Sequence, residues 1–234
     1  MHTTPPAPDS ELAATEFPVV IIDDHELFST SLRLALKNSG LNASQPPVEN
    51  IAELLPGRPH RPAGLIVLDI DLGTEPNGRR INGADLVKDL RAKGWTILIV
   101  TGSNDKPGIA AAVARGAIGV VHKSSSFDTL LETVLTAAGG KPVMSTAQRD
   151  RWLELHRRYH AREHELAKRL SRLSPREREV LDRLAEGQRA ATIAERLVVS
   201  ITTVRTQIRS ILAKTGVNSQ LEAVALIRPR ELDE

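Results

Sequence analysis

Gly64-Leu65-Ile66-Val67-Leu68-Asp69 limits the possible folds of this chain more than any other stretch. Four large apolar residues follow one another without a polar partner, and the run ends in a carboxylate. Such a run is a strand buried on both faces, and strands of that kind belong in a parallel sheet covered by helices on both sides. Ligands of these sheets lie beyond the carboxyl ends of the strands, so Asp69 is predicted where chemistry occurs. Other segments repeat the design. Residues 18–22 (Pro-Val-Val-Ile-Ile) end in Asp23-Asp24, residues 96–101 end in Thr101, and residues 118–122 deliver Lys123. Between them, residues 26–39, 84–93 and 109–115 carry apolar positions at helical spacing, mostly closed by glycine. A capping box over 125–128 opens a further helix to about residue 138. Residues 48–55 offer an ambiguous short strand at best, and 72–82, with Gly73, Pro76 and Gly78, is a long loop.

This alternation predicts an α/β domain over residues 18–140, a doubly wound, five-stranded parallel sheet in the flavodoxin-like order 2-1-3-4-5. Residues 1–17, with Pro5, Pro6 and Pro8, are expected to be a disordered lead-in. Residues 141–172 form a linker whose charged part is helical in pattern. Trp152, Tyr159, Leu166 and Leu173 recur there every seventh residue, as the seam of a short coiled coil or as anchors resting on a neighbouring domain. His156, His160 and His164 share a face, but Arg157, Arg158 and Arg162 beside them favour a solvated surface over a metal site. Residues 173–234 are all-α. Ser174-Pro175-Arg176-Glu177 is a start signal, and short helices follow near 192–197, 201–215 and 220–227. This is the helix-turn-helix pattern, with a recognition helix that is basic outside.

Charge supports the division. Residues 1–140 hold 12 Lys and Arg against 16 Asp and Glu, a net of −4, whereas 141–234 hold 19 against 13, a net of +6. An acidic first part joined to a basic second part suggests a regulatory or catalytic domain linked to a polyanion binder. The chain has no cysteine, which excludes disulfides and thiolate metal sites. It has no apolar run of membrane-spanning length and no signal-peptide pattern, so the expected setting is the cytoplasm.

Strands one and three are neighbours at the switch point of such a sheet, so Asp23, Asp24 and Asp69 converge. Three carboxylates repel one another and need a cation, and oxygen-only ligands favour Mg2+. With the hydroxyl of Thr101 and the ammonium of Lys123 at the next two strand ends, the group reads as a phosphoryl-transfer site with a carboxylate nucleophile.

Ile22-Asp23-Asp24-His25, Leu68-Asp69, Val100-Thr101-Gly102 and His122-Lys123-Ser124 resemble the receiver domain of two-component response regulators. Leu-Ser-Pro-Arg-Glu-Arg-Glu-Val-Leu, Ile-Ala-Glu-Arg-Leu, Thr-Val-Arg-Thr and Glu-Ala-Val-Ala-Leu, within 173–227, resemble the four-helix DNA-binding domain of the NarL/LuxR (FixJ) type. The resemblance implies that Asp69 accepts a phosphoryl group from a sensor histidine kinase. It implies that Asp23, Asp24, Asp69 and the backbone carbonyl of Asp71 hold Mg2+, that Lys123 pairs with the phosphoryl group, and that Thr101 turns to bond it. On the third helix of the second domain, Arg205, Thr206 and Arg209 match positions that enter the major groove of an operator. Lys214, and backbone amides near Thr192, are expected at phosphates. Homodimers are expected in the active state, with Trp152, Tyr159, Leu221 and Val224 as contributors. Outside the reaction at Asp69 itself, no enzyme activity is implied.

Two departures stand out. Val120 occupies a position where the family usually has an aromatic that moves with the threonine. The loop between Asp69 and Gly83 is longer than usual and carries Glu75, Arg79 and Arg80. Two other readings remain: a receiver-like DNA binder controlled by a partner or ligand without phosphorylation, and a phosphatase of the haloacid-dehalogenase type, because Asp69-Ile70-Asp71 resembles its Asp-x-Asp motif.

Overall fold

The computed structural model describes residues 17–48, 64–74, 78 and 80–227. They form two compact units, the first ending at His156 and the second beginning at Arg157.

In the first unit, β1 (Pro18–Ile22), β2 (Asn42–Ser44), β3 (Gly64–Leu68), β6 (Trp95–Thr101) and β7 (Gly119–His122) pair in parallel in the order β2-β1-β3-β6-β7. β4 (Asp71–Thr74) and β5 (Arg80–Asn82) form a separate antiparallel ribbon. Side chains alternate across the sheet with the period of a strand. Val20, Ile22, Ile66, Leu68, Ile97 and Ile99 face one core, and Val19, Ile21, Leu65, Val67, Leu98 and Val100 face the other. Helices α2 (Gly83–Ala92) and α3 (Lys106–Ala114) cover the first face through Val87, Leu90, Ile109 and Ala112. Helices α1 (Glu26–Asn38) and α4 (Phe127–Ala138) cover the second through Leu32, Leu36, Leu130 and Val134. This is the doubly wound sheet that the apolar runs require.

Several local expectations differ from what forms. The second strand lies at Asn42–Ser44, and residues 49–55 of the stretch read as an ambiguous short strand are outside the described residues, as are 1–16 of the lead-in and 75–77 and 79 of the expected loop. The segment expected as a long loop contains the β4–β5 ribbon. The cap of α4 is Ser126, which accepts from Thr129 N, so the start signal is shifted by one residue and the third helical position is threonine rather than an acid.

The long helix α5 (Thr146–Leu170) has no fully buried residue. Its Trp152 packs against the first-face core, beside which Arg149 Nη1 donates to the carbonyl of Ala117 at 3.3 Å.

The second unit holds α6 (Pro175–Ala185), α7 (Ala190–Arg196), α8 (Ile201–Thr215) and α9 (Gln220–Ala225) around Val180, Leu181, Leu184, Ile193, Val204, Ile211 and Ala223. Its starts are set by side chains. Ser174 and Glu177 make the predicted capping box, Ser200 accepts from Thr203 N, and Ser219 accepts from Glu222 N. Gly216 ends α8 in the left-handed conformation at φ 69°, which glycine adopts without a Cβ penalty. Helix α7 begins two residues before the expected start, because Arg189 precedes it without a side-chain cap. Val224 belongs to this core at 6% exposure, so it is not available as a dimer contact, whereas Leu221 is exposed. Among the described residues no helix is long and apolar enough to cross a membrane.

Candidate functional site

The carboxyl edge of the sheet gathers the polar strand ends. Asp23 follows β1, Asp69 follows β3, Thr101 closes β6 and Lys123 follows β7. The backbone sets their heights, since Asp69 N donates to Ile22 O at 2.9 Å and Lys123 N to Thr101 O at 2.8 Å. Asp69, Asp23 and Thr101 are buried, and Asp24 is exposed. Lys123 Nζ bridges the two buried acids, 2.6 Å from Asp69 Oδ2 and 2.7 Å from Asp23 Oδ2. Its ammonium also lies over an aromatic face, with Nζ 4.8 Å from the centre of the Phe28 ring. Thr101 Oγ1 accepts from Ser103 N at 3.1 Å, which ties the hydroxyl to the loop after β6.

Burial pushes the Asp23 carboxyl above the usual range, and the bonds from Lys123 and from the His25 backbone offset only part of this. For Lys123, burial alone would lower the ammonium, but its bonds to Asp23 and Asp69 more than offset that, and the net shift is upward. Both groups shift toward holding a proton, Asp23 because burial outweighs the ammonium beside it and Lys123 because the acids outweigh its burial.

The donor atoms of Asp23, Asp24, Asp69 and His25 lie within 4.8 Å of one another. Three carboxylates face one ammonium there, an excess of negative charge that fits a hard divalent cation. His25 joins the three acids here, a place that the motif Ile22-Asp23-Asp24-His25 alone does not assign it. Its Nδ1 lies 2.8 Å from Asp24 Oδ1 and 3.4 Å from Lys123 Nζ. The signal was its place directly after the acidic pair.

The turn after Asp69 is tightly built. Asp71 N donates to Asp69 Oδ1 at 3.3 Å, and Gly83 N to Ile70 O at 2.7 Å. A Cβ at Gly83 would overlap the carbonyl oxygen of Asp69, so only glycine lets α2 approach this closely. The Asp71 carboxylate turns to Arg80, 2.6 Å away. Val120 is half-buried and packs against the same core as Trp152.

In the second unit, Val204 and Ile211 of α8 point into the core, and Ile208 and Leu212 are packed against it. Arg205, Thr206 and Arg209 are exposed on the opposite arc, with Thr206 Oγ1 bonded back to Thr202 O at 3.0 Å. Thr192 is exposed in the first turn of α7. Lys214 is differently engaged. Its Nζ lies 2.8 and 2.6 Å from the two carboxylate oxygens of Glu177, and Ser210 Oγ donates to the same carboxylate at 2.6 Å.

Comparison with known proteins agrees with this geometry. Residues 19–135 match the family model described as "Response regulator receiver domain", and residues 171–227 match "Bacterial regulatory proteins, luxR family". The nitrate/nitrite response regulator protein NarP of Escherichia coli (strain K12) is 32% identical over 91% of this chain and 95% of its own length. A nitrate/nitrite response regulator protein homolog of Haemophilus influenzae is 30% identical over 89% of this chain and 94% of its own. The transcriptional regulatory protein FixJ of Azorhizobium caulinodans is 30% identical over 89% and 90%.

Proposed function

The chain belongs to the response regulators that join a receiver domain to a LuxR-type DNA-binding domain, and from that premise we propose that Asp69 is the phosphoacceptor through which a sensor histidine kinase controls its binding to DNA. It is a transcription regulator, and the only covalent chemistry proposed for it is at Asp69. The receiver is assigned to residues 18–140, the linker to 141–172 and the DNA-binding domain to 173–234.

The observation that carries this reading is the bridge from Lys123 to Asp69 and Asp23 at 2.6 and 2.7 Å. It gathers the buried Asp69 carboxylate and an ammonium at the carboxyl edge of the sheet, the pairing that a carboxylate nucleophile for phosphoryl transfer calls for. A carboxylate oxygen of Asp69 attacks phosphorus, the phosphorus–nitrogen bond of the donor's phosphohistidine breaks, and the leaving imidazole nitrogen takes a proton. Asp23 and Asp24, with Asp69 and the carbonyl of Asp71, would hold Mg2+, which would supply positive charge to offset the carboxylates and the phosphoryl oxygens. Lys123 moves from the carboxylates to a phosphoryl oxygen, and the Thr101 hydroxyl leaves Ser103 N to donate to another. In the DNA-binding domain, Arg205 and Arg209 read guanine edges in the major groove, the Thr206 methyl meets a thymine methyl, and backbone amides near Thr192 meet phosphate. Two recognition helices on an operator require a homodimer, with Leu221, Tyr159 and Trp152 as contributors. The setting is the cytoplasm, where the operator and a reducing environment coexist.

Incubation with Mg2+ and acetyl phosphate should add a single acid-labile phosphate, read by intact-mass measurement. Asp69→Asn should remain unlabelled, because an amide is not a nucleophile. Unchanged labelling in that variant would remove Asp69 from the role.

A further inference from the structure

We propose that the β4–β5 ribbon is a wall of the Asp69 pocket that sets its charge, and that Arg80 is the positioning residue within it. The inference deepens the reading of Asp69 as phosphoacceptor and rests on it.

Both ends of the ribbon are tied to the pocket. β4 starts two residues after Asp69, and its first amide, Asp71 N, donates to Asp69 Oδ1 at 3.3 Å. Further along, the backbone passes against the acidic cluster, where a Cβ on Gly73 would lie 3.2 Å from Asp24 Oδ2. The returning strand ends at Asn82, which caps α2 by accepting from Ala84 N at 2.8 Å. Across the ribbon Asp71 faces Asn82 and Thr74 faces Arg80. From there Arg80 Nη2 reaches diagonally to Asp71 Oδ2 at 2.6 Å.

Charge gives this arrangement a purpose. Asp71 adds a carboxylate beside a site that already holds Asp23, Asp24 and Asp69, outside their cluster of donor atoms. Lys123 is committed to Asp23 and Asp69, and His25 leans on Asp24. Arg80 is the cation that meets Asp71. With Arg80 in place, the Asp71 peptide stays beside Asp69 while its carboxylate is neutralised. Without it, an extra negative charge would face the pocket. That charge would attract a divalent cation more strongly and repel an anionic phosphodonor, so the two consequences have opposite signs. A merely misshapen pocket would lose both abilities together. Arg80 is largely exposed, which keeps the expected effects modest.

The test uses the full-length protein at low ionic strength. Binding of Mn2+, followed by electron paramagnetic resonance, reports the metal side. The rate of labelling by acetyl phosphate at saturating Mg2+, followed by intact mass, reports the donor side. Arg80→Ala should tighten Mn2+ binding and slow labelling, each by about two- to fivefold, the range that an exposed ion pair supplies. Asp71→Asn, which removes the charge and keeps the backbone carbonyl, should move both quantities the opposite way, weakening Mn2+ binding and speeding labelling. Both shifts should shrink at about 1 M salt, where exposed charges are screened. If Arg80→Ala lowers both quantities together, or moves neither, the proposal is overturned. Asp69→Asn run alongside separates the two questions. Labelling that persists there refutes the phosphoacceptor, while the Mn2+ arm still decides whether Arg80 offsets Asp71.

Discussion

Glu177→Gln is the sharpest probe of the DNA-binding domain. Glu177 is 7% exposed at the third position of α6, yet it is charged. Its Oε2 accepts from Ser174 N at 2.7 Å and its Oε1 from Ser210 Oγ at 2.6 Å, while Lys214 lies within 2.8 Å of both oxygens. These partners, Lys214 first, then Ser210 and the Ser174 amide, hold the carboxyl down from its usual 4.5 to about 2 against the opposing effect of burial. A folded-state pKa below the unfolded one stabilises at pH values above about 4.5, and the contribution is lost as pH falls toward about 2. At roughly 1.4 kcal/mol per unit, the full shift sets a ceiling of about 3.4 kcal/mol at neutral pH. Lys214 is 38% exposed and water screens the pair, so about 1–2 kcal/mol is expected. The glutamine keeps an acceptor for the cap but leaves Lys214 without its counter-charge. Urea denaturation followed by far-UV circular dichroism, wild type against variant, isolates this contribution because the receiver is identical in both. By linkage only about 40% of the wild-type advantage should survive at about pH 3. A variant as stable as wild type at neutral pH, or a difference that does not narrow at low pH, would refute the reasoning.

Arg209→Ala should cost about 1–3 kcal/mol on a specific operator and much less on random DNA, measured by fluorescence anisotropy. Equal losses on both would assign Arg209 to phosphate rather than to bases. Val198, in the turn before α8, is 90% exposed with φ at 54°, a conformation a β-branched residue adopts at a cost of about 1–2 kcal/mol. Val198→Gly should relieve that strain, less about 0.5–1 kcal/mol for the freer unfolded chain, and raise the thermal midpoint slightly. A lowered midpoint would show that the valine side chain contributes a contact.

The strands that carry the site were legible because burial on both faces writes itself as an unbroken apolar run. A polar residue at the end of such a run stands out, and the sheet rule brings these ends together. Asp69, Asp23, Thr101 and Lys123 were found in this way. β2 left no such trace. It is a three-residue edge strand in which Ala43 alone is buried, between exposed Asn42 and Ser44. The β4–β5 ribbon was also hidden, since Gly73, Pro76 and Gly78 are loop residues and its pairing comes from backbone rather than from alternating side chains. Ser125 and Ser126 are equal candidates for a cap in sequence, and only the bond from Thr129 N chooses between them. Val224 looked available because a six-residue helix is too short to reveal which side packs inward. Lys214 looked like a phosphate contact because it ends a basic helix, and nothing local indicates that Glu177, 37 residues earlier, folds against it.

That pairing changes where the basicity of the DNA-binding domain is usable. Lys214 is held by Glu177, Arg178 by Asp182, and Arg176 and Arg183 both by Glu179. Arg176 also donates to the carbonyl of Leu197 at 2.8 Å, which fixes the end of α7 to the start of α6. Three of these pairs lie within α6, and the Lys214–Glu177 pair joins α8 to α6. Among the described residues no ion pair engages Arg205 or Arg209, and both are exposed on one arc of α8. An arginine that must place two donors on one guanine cannot already be committed to a carboxylate in its own domain. With Lys214 held by Glu177, Arg205 and Arg209 are the cations of α8 that the proposed base reading can use.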